Sequence, residues 1–174
     1  LYRQGAGVEV LAELGVTVDG EVPSIAGEAL YQGARHALPS SPGAILRTSM
    51  LTAAGRWQLA RVMGGLRWVD TEAVVAMSLN DWLAQQALSP AVADFVRMMT
   101  RLSTYANAPD RLSAGAALRQ LKMAMGGVYY LRGGWQGMVD GLARAAEAAG
   151  VDVVCDRAVG CLLYTSPSPR DLTT

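Results

Sequence analysis

The chain has 174 residues, enough for one ordinary domain, and its 15 basic and 15 acidic residues cancel, so no net field favours nucleic acid or an anionic membrane surface. Apolar residues make up 51% of it, yet no apolar run reaches the ~18 positions a membrane span needs. Two cysteines and one histidine are too few for a disulfide framework or a zinc site.

In chain order, Val8-Glu-Val-Leu-Ala-Glu-Leu-Gly15 predicts a short helix stopped by glycine, and Val16-Thr-Val-Asp19 the start of a strand. Ala29 to Pro39 predicts a small hairpin about Gly33. From residue 40 to 125 the pattern is helical, with strands expected only within roughly 16–38, 127–131 and 151–159. Pro42 suits a first helical turn. Thr52 caps a helix carrying Trp57, Leu59, Val62 and Met63 up to Gly64-Gly65, and Asp70 caps another from Thr71 to Met77. Ser78-Leu-Asn-Asp81 has the form of a capping box with aspartate in place of glutamate, ahead of Trp82 and Leu83. Ser89-Pro90 places a cap and then a proline before Val92, Phe95, Met99 and Leu102 at helical spacing. Ser113 caps a last helix of this run, with Ala117, Leu121 and Met125.

Gly133-Gly134 then allows a tight turn or a close backbone approach. Trp135, Met138, Val139, Leu142 and Ala146 form a helical stripe, Gly150 suits a left-handed cap, and Val151, Val153 and Val154 predict a strand. From Cys161 the style changes abruptly. Cys-Leu-Leu-Tyr-Thr-Ser-Pro-Ser-Pro-Arg-Asp171 resembles the translation of a transposase adapter used in sequencing libraries, so residues 161–174 are set aside as non-native read-through. The alternative is a genuine Ser/Pro linker. The chain opens on Leu1 rather than Met, and the expectation is an internal fragment whose beginning, with any targeting segment, lies upstream.

Tyr130-x-x-Gly-Gly-x-x-x-Met138-Val-x-x-Leu142, followed by Gly150-Val-x-Val, resembles the flavin-dependent oxidoreductases of the phytoene desaturase, protoporphyrinogen oxidase and amine oxidase superfamily. Leu-x-x-Leu-Gly-Val near the start, the hairpin, Ser78-Leu-x-x-Trp-Leu, Thr104-Tyr-x-x-x-Pro and Ser113-Ala are similar to segments of the same superfamily. The resemblance runs from Leu1 to about Gly160. It implies an α+β fragment, mostly helical: the substrate domain of an FAD/NAD(P)-binding Rossmann-like oxidoreductase, with the first helix and strand of its return to the flavin domain. Residues 1–27 are then the end of an N-terminal flavin-domain segment, 28–126 the helical substrate domain and 127–160 the return. The implied cofactor is FAD, which takes electrons from a small, apolar substrate of polyene, porphyrinogen or amine type. Cytoplasmic residence is expected, with peripheral membrane contact left open and no nucleic-acid partner.

The dinucleotide fingerprint Gly-x-Gly-x-x-Gly is absent; Gly5-Ala-Gly7 lacks the third glycine and a preceding strand, and reads as a loop. The resemblance places the fingerprint upstream of Leu1. The cofactor candidates that remain are Gly133 and Gly134, either a plain turn or a backbone beside the flavin or substrate cavity, and Val159, whose backbone the resemblance sets against the adenine. Catalytic residues are not identified and no metal is expected. His36 is a general base or, without a Ser, Cys or carboxylate constellation beside it, a structural residue. Trp57, Trp68, Trp82 and Trp135, with eight methionines, are core or the lining of an apolar pocket. Arg97, Arg101 and Arg111 orient a carboxylate or face solvent. Cys155 is expected inert in an apolar strand. The competing class is a non-enzymatic helical interaction module.

Overall fold

The computed structural model describes residues 1–24 and 27–158. Among these the fold is α+β, with helices dominant and two small two-stranded antiparallel sheets. Helix α1 (Ala6–Glu13) ends as its glycine predicts. Gly15 adopts φ 69°, its N–H donates to Ala12 O at 3.0 Å, and Val16 N–H reaches back to Leu11 O at 2.8 Å. That pair of bonds satisfies carbonyls the helix end would otherwise leave open. Strand β1 is only Gly20–Glu21, so Val16-Thr-Val-Asp19 leads into the strand rather than forming it.

β2 (Glu28–Tyr31) and β3 (Ala34–Ala37) form the expected hairpin, in register from Glu28↔Ala37 to Tyr31↔Ala34. Its two turn residues, Gln32 and Gly33, both have positive φ (50° and 78°), the turn whose twist matches the flanking strands. Buried Thr48 donates to Ala37 O and accepts from Met50 N–H, which ties the hairpin to the helices.

The helical body is α2 (Pro42–Arg47), α3 (Ala53–Gly65), a 3₁₀ turn (Leu66–Trp68), α4 (Leu79–Gln85), α5 (Pro90–Thr104) and α6 (Ala114–Met125). Ser41, Thr52, Ser78 and Ser113 each accept a first-turn N–H through their side chains. In the Ser78 cap the short Asp81 carboxylate accepts from the Ser78 hydroxyl at 2.7 Å. Ser89 precedes Pro90 as predicted, but its side chain makes no capping bond. Helix α5 is central. Val92 and Phe95 pack with Ile45, Leu51 and Leu59, while Val96 packs with Leu66, Leu79, Trp82, Leu118 and Leu121. Thr100 and Ser103 continue the buried side of α5, whereas Leu102 turns outward, 58% exposed.

Residues 71–77 form a run of turns, not the helix expected from Asp70, although Asp70 does accept the Glu72 and Ala73 N–H groups. The segment is tied instead to the start of α6. There the Ala114 and Gly115 N–H groups take the Met77 and Val74 carbonyls at 2.8 and 3.2 Å, and the Ser113 hydroxyl takes the Val75 carbonyl at 2.6 Å. Within the segment the local bonds are of the tighter turn type, Val75 N–H to Glu72 O and Met77 N–H to Val74 O, both at 3.2 Å. The start of α4, like that of α6, is served from outside the helix, by Leu112 O and Pro109 O.

The chain then comes back to where it began. Tyr129 N–H donates to Leu1 O at 2.7 Å, Tyr2 bridges Val128, and β4 (Tyr130–Leu131) pairs with β1 as Glu21↔Tyr130 and Gly20↔Leu131. Helix α7 (Trp135–Ala148) follows. It ends like α1: Gly150, at φ 77°, donates to Glu147 O, and Val151 N–H donates to Ala146 O. Its predicted stripe is not core. Only Gly141 is buried, against Val16, and Trp135 is 61% exposed. The strand expected from Val151 is not formed among the described residues; 151–158 lie exposed without a neighbouring strand to complete their backbone bonds.

Candidate functional site: a cleft between the hairpin and helix α5

Four residues of α5 recur at helical spacing on its outer side: Asp94, Arg97, Met98 and Arg101. The hairpin crosses above them with Ala29, Leu30 and Tyr31, and Met50 closes one side. Tyr105, in the left-handed conformation at φ 56°, ends α5, and Asn107 two residues later completes the rim. Together they enclose an open cleft of about 230 Å³ over buried Phe95.

The cleft is amphipathic. Alanine, leucine, methionine and phenylalanine side chains supply the apolar part of the lining, and two guanidinium groups, one carboxylate and one amide supply the polar part. Arg97 is already engaged: its Nε donates to Asn80 Oδ1 at 2.8 Å and its NH1 to Asp94 Oδ1 at 2.9 Å. Among the described residues Arg101 has no carboxylate within ion-pairing distance. Of the three arginines singled out in the sequence, the structure therefore brings two together here. Arg111 lies in the turn before α6 and does not line the cleft.

The cofactor candidates lie elsewhere. Gly133 and Gly134 both have φ 75°, and a Cβ on either would meet nothing within 4 Å. Conformation, not crowding, requires glycine there: Gly134, at ψ −161°, starts α7 from a region closed to other residues. Both are exposed and line neither described cleft. Val159 lies outside the described residues. A second cleft, of about 300 Å³, separates the end of α1 from α7 and is lined by Leu14, Val16, Gly137, Gly141 and Arg144.

Other sequence candidates resolve as follows. Of the four tryptophans only Trp82 is core; Trp57, Trp68 and Trp135 are exposed and line neither cleft. Arg67 stacks over the Trp68 ring at 3.7 Å. Cys155 is a free, exposed thiol rather than a strand residue buried among valines. His36 does meet a serine, which the linear pattern did not reveal: its Nδ1 and Ser49 Oγ share a hydrogen bond of 3.0 Å at the surface. Among the described residues no carboxylate is recorded on its other nitrogen, so the pair lacks the orienting third member of a nucleophilic triad. No His/Cys/Asp/Glu group suited to a metal occurs among the described residues, and no helix there is long and apolar enough to cross a membrane.

No protein-family model, curated protein or solved structure matches the chain.

Proposed function

We propose that the chain is the substrate-domain part of an FAD-dependent oxidoreductase of the phytoene desaturase-like type. One observation carries this reading: the opening segment and the segment after α6, more than a hundred positions apart, pair side by side from Tyr2↔Val128 to Gly20↔Leu131. Such pairing is what a helical body inserted between two parts of a flavin domain requires. In this reading 1–27 and 127–160 belong to the flavin domain and 28–126 to the substrate domain. The segments resembling the superfamily support it: Ser78-Leu79 and Ser113-Ala114 begin α4 and α6 and bridge each other.

The flavin, when bound, would accept a hydride or electrons from the substrate. No Gly-x-Gly-x-x-Gly is present to hold its pyrophosphate, so that anchor must come from sequence beyond these residues. Gly133-Gly134 would bring backbone to one edge of the cofactor and the Val159 backbone would meet the adenine. Neither holds a pyrophosphate, so this chain alone should lose FAD on dialysis. The predicted Val151 strand, which would have favoured the flavin reading, is not formed among the described residues and lends it no support.

The exposed Trp57 and Trp68 favour a second reading, a helical module that binds a partner protein. Expression of the longer reading frame separates the two. A yellow protein retaining stoichiometric FAD after dialysis supports the first, and a colourless protein with no flavin affinity overturns it. Retained flavin on residues 1–160 alone would instead put the cofactor site inside this chain.

A further inference from the structure

We propose that the cleft between the hairpin and α5 binds the carboxylate end of a small amphiphile, with Arg101 as the anion-recognising group. Charge comes first. The lining holds two guanidinium groups and one carboxylate, a single net positive charge. Asp94 and Asn80 occupy Arg97, so the uncompensated charge belongs to Arg101. A guanidinium presents parallel N–H donors spaced for the two oxygens of a carboxylate, a match that an ammonium cannot make. Asn107 stands on the same rim and carries an amide donor for a further hydrogen bond.

The rest of the ligand must be apolar. One helical turn from Arg101, Met98 faces the same cleft, with Phe95 beneath and Met50 and Leu30 opposite. Unbranched methionine side chains adapt to chains of varied shape. At about 230 Å³ the cleft is smaller than the ~300–1,000 Å³ typical of sites that enclose a drug-sized molecule. It therefore takes a short hydrocarbon carboxylate, or the acidic end of a longer one whose tail leaves through the open mouth. The site needs no flavin and stands or falls separately from the oxidoreductase reading.

The test is titration of the full chain, labelled at methionine methyl groups, with octanoate and with octanamide, its uncharged counterpart. Octanoate is expected to shift the Met50 and Met98 signals saturably, with Kd on the order of 0.1–1 mM, and to leave Met125 unmoved. Octanamide should bind about tenfold more weakly, and Arg101→Met should weaken octanoate by a similar factor. Arg101→Lys should fall between, keeping the charge without the fork, while Arg111→Met should change nothing. An unchanged methionine spectrum elsewhere shows that each variant is folded. Equal binding of acid and amide, undiminished binding by Arg101→Met, shifts away from Met50 and Met98, or no saturable shift at all would each overturn the assignment.

Discussion

Gly115, at the start of α6, lies directly against the Thr71 carbonyl: a Cβ built on it would collide with that oxygen and sit 2.9 Å from Val75 Cα. Both neighbours are backbone and cannot rotate away. The 71–77 turns therefore lie closer to α6 than any side chain would permit, and the bonds from Ala114 and Gly115 to their carbonyls depend on that approach.

Gly115→Ala should accordingly lower stability by about 3 kcal/mol, the upper part of the usual overpacking range. Gly64→Ala is the matched comparison. Gly64 is in α3 with nothing within 4 Å of a Cβ, so alanine there should stabilise by up to about 1 kcal/mol through helix propensity. Urea melts of the two variants check this. Equal and small effects would mean that the turns yield readily to α6.

The serine caps give a second contrast. Ser113 accepts the Ala116 N–H and donates to Val75 O, whereas the Ser89 side chain makes no cap bond. Ser113→Ala should cost about 1–2 kcal/mol and Ser89→Ala less than about 0.5 kcal/mol, although both serines precede a helix. The same melts report it, and a larger loss at Ser89 would contradict the hydrogen bonding described.

The third prediction concerns α7. Trp135 and Val139 are exposed on one side of this helix, and Val151, Val153 and Val154 beyond it are exposed as well. Apolar surface left uncovered along α7 and after it favours association. Sedimentation should show the chain self-associating as its concentration rises, and the double substitution Trp135→Glu and Val139→Lys should reduce that association. A wild-type chain that stays monomeric at every concentration would show that this surface is not adhesive.

What was legible in the sequence was local. Glycine after the last turn at Gly15 and Gly150, proline at the first turn in α2 and α5, and the Gln32-Gly33 turn all act within four or five residues, so their patterns survive without tertiary information. Residues 71–77 misled because the segment is bonded to the start of α6, some forty positions on, a contact that its own pattern does not show. Val151 to Val154 have strand composition, but a strand exists only with a neighbour, which composition does not disclose. The cleft was half visible. Arg97 and Arg101 stood out one turn apart on α5, but the hairpin that roofs them is more than sixty positions earlier. His36 and Ser49 meet for a similar reason, across a hairpin and a short helix.

The two-rung ladder of β1 and β4 has a consequence for how such a chain tolerates change. Everything from Val22 to Tyr129 is, topologically, one long excursion whose ends are clasped at the same spot. Lengthening an excursion that is already closed is cheap: each doubling adds only ~0.6 kcal/mol of closure entropy. Residues added at an exposed turn such as Gln32-Gly33 would thus leave the clasp in register and α7 seated on Val16. The body is free to acquire new surfaces while its base stays as it is.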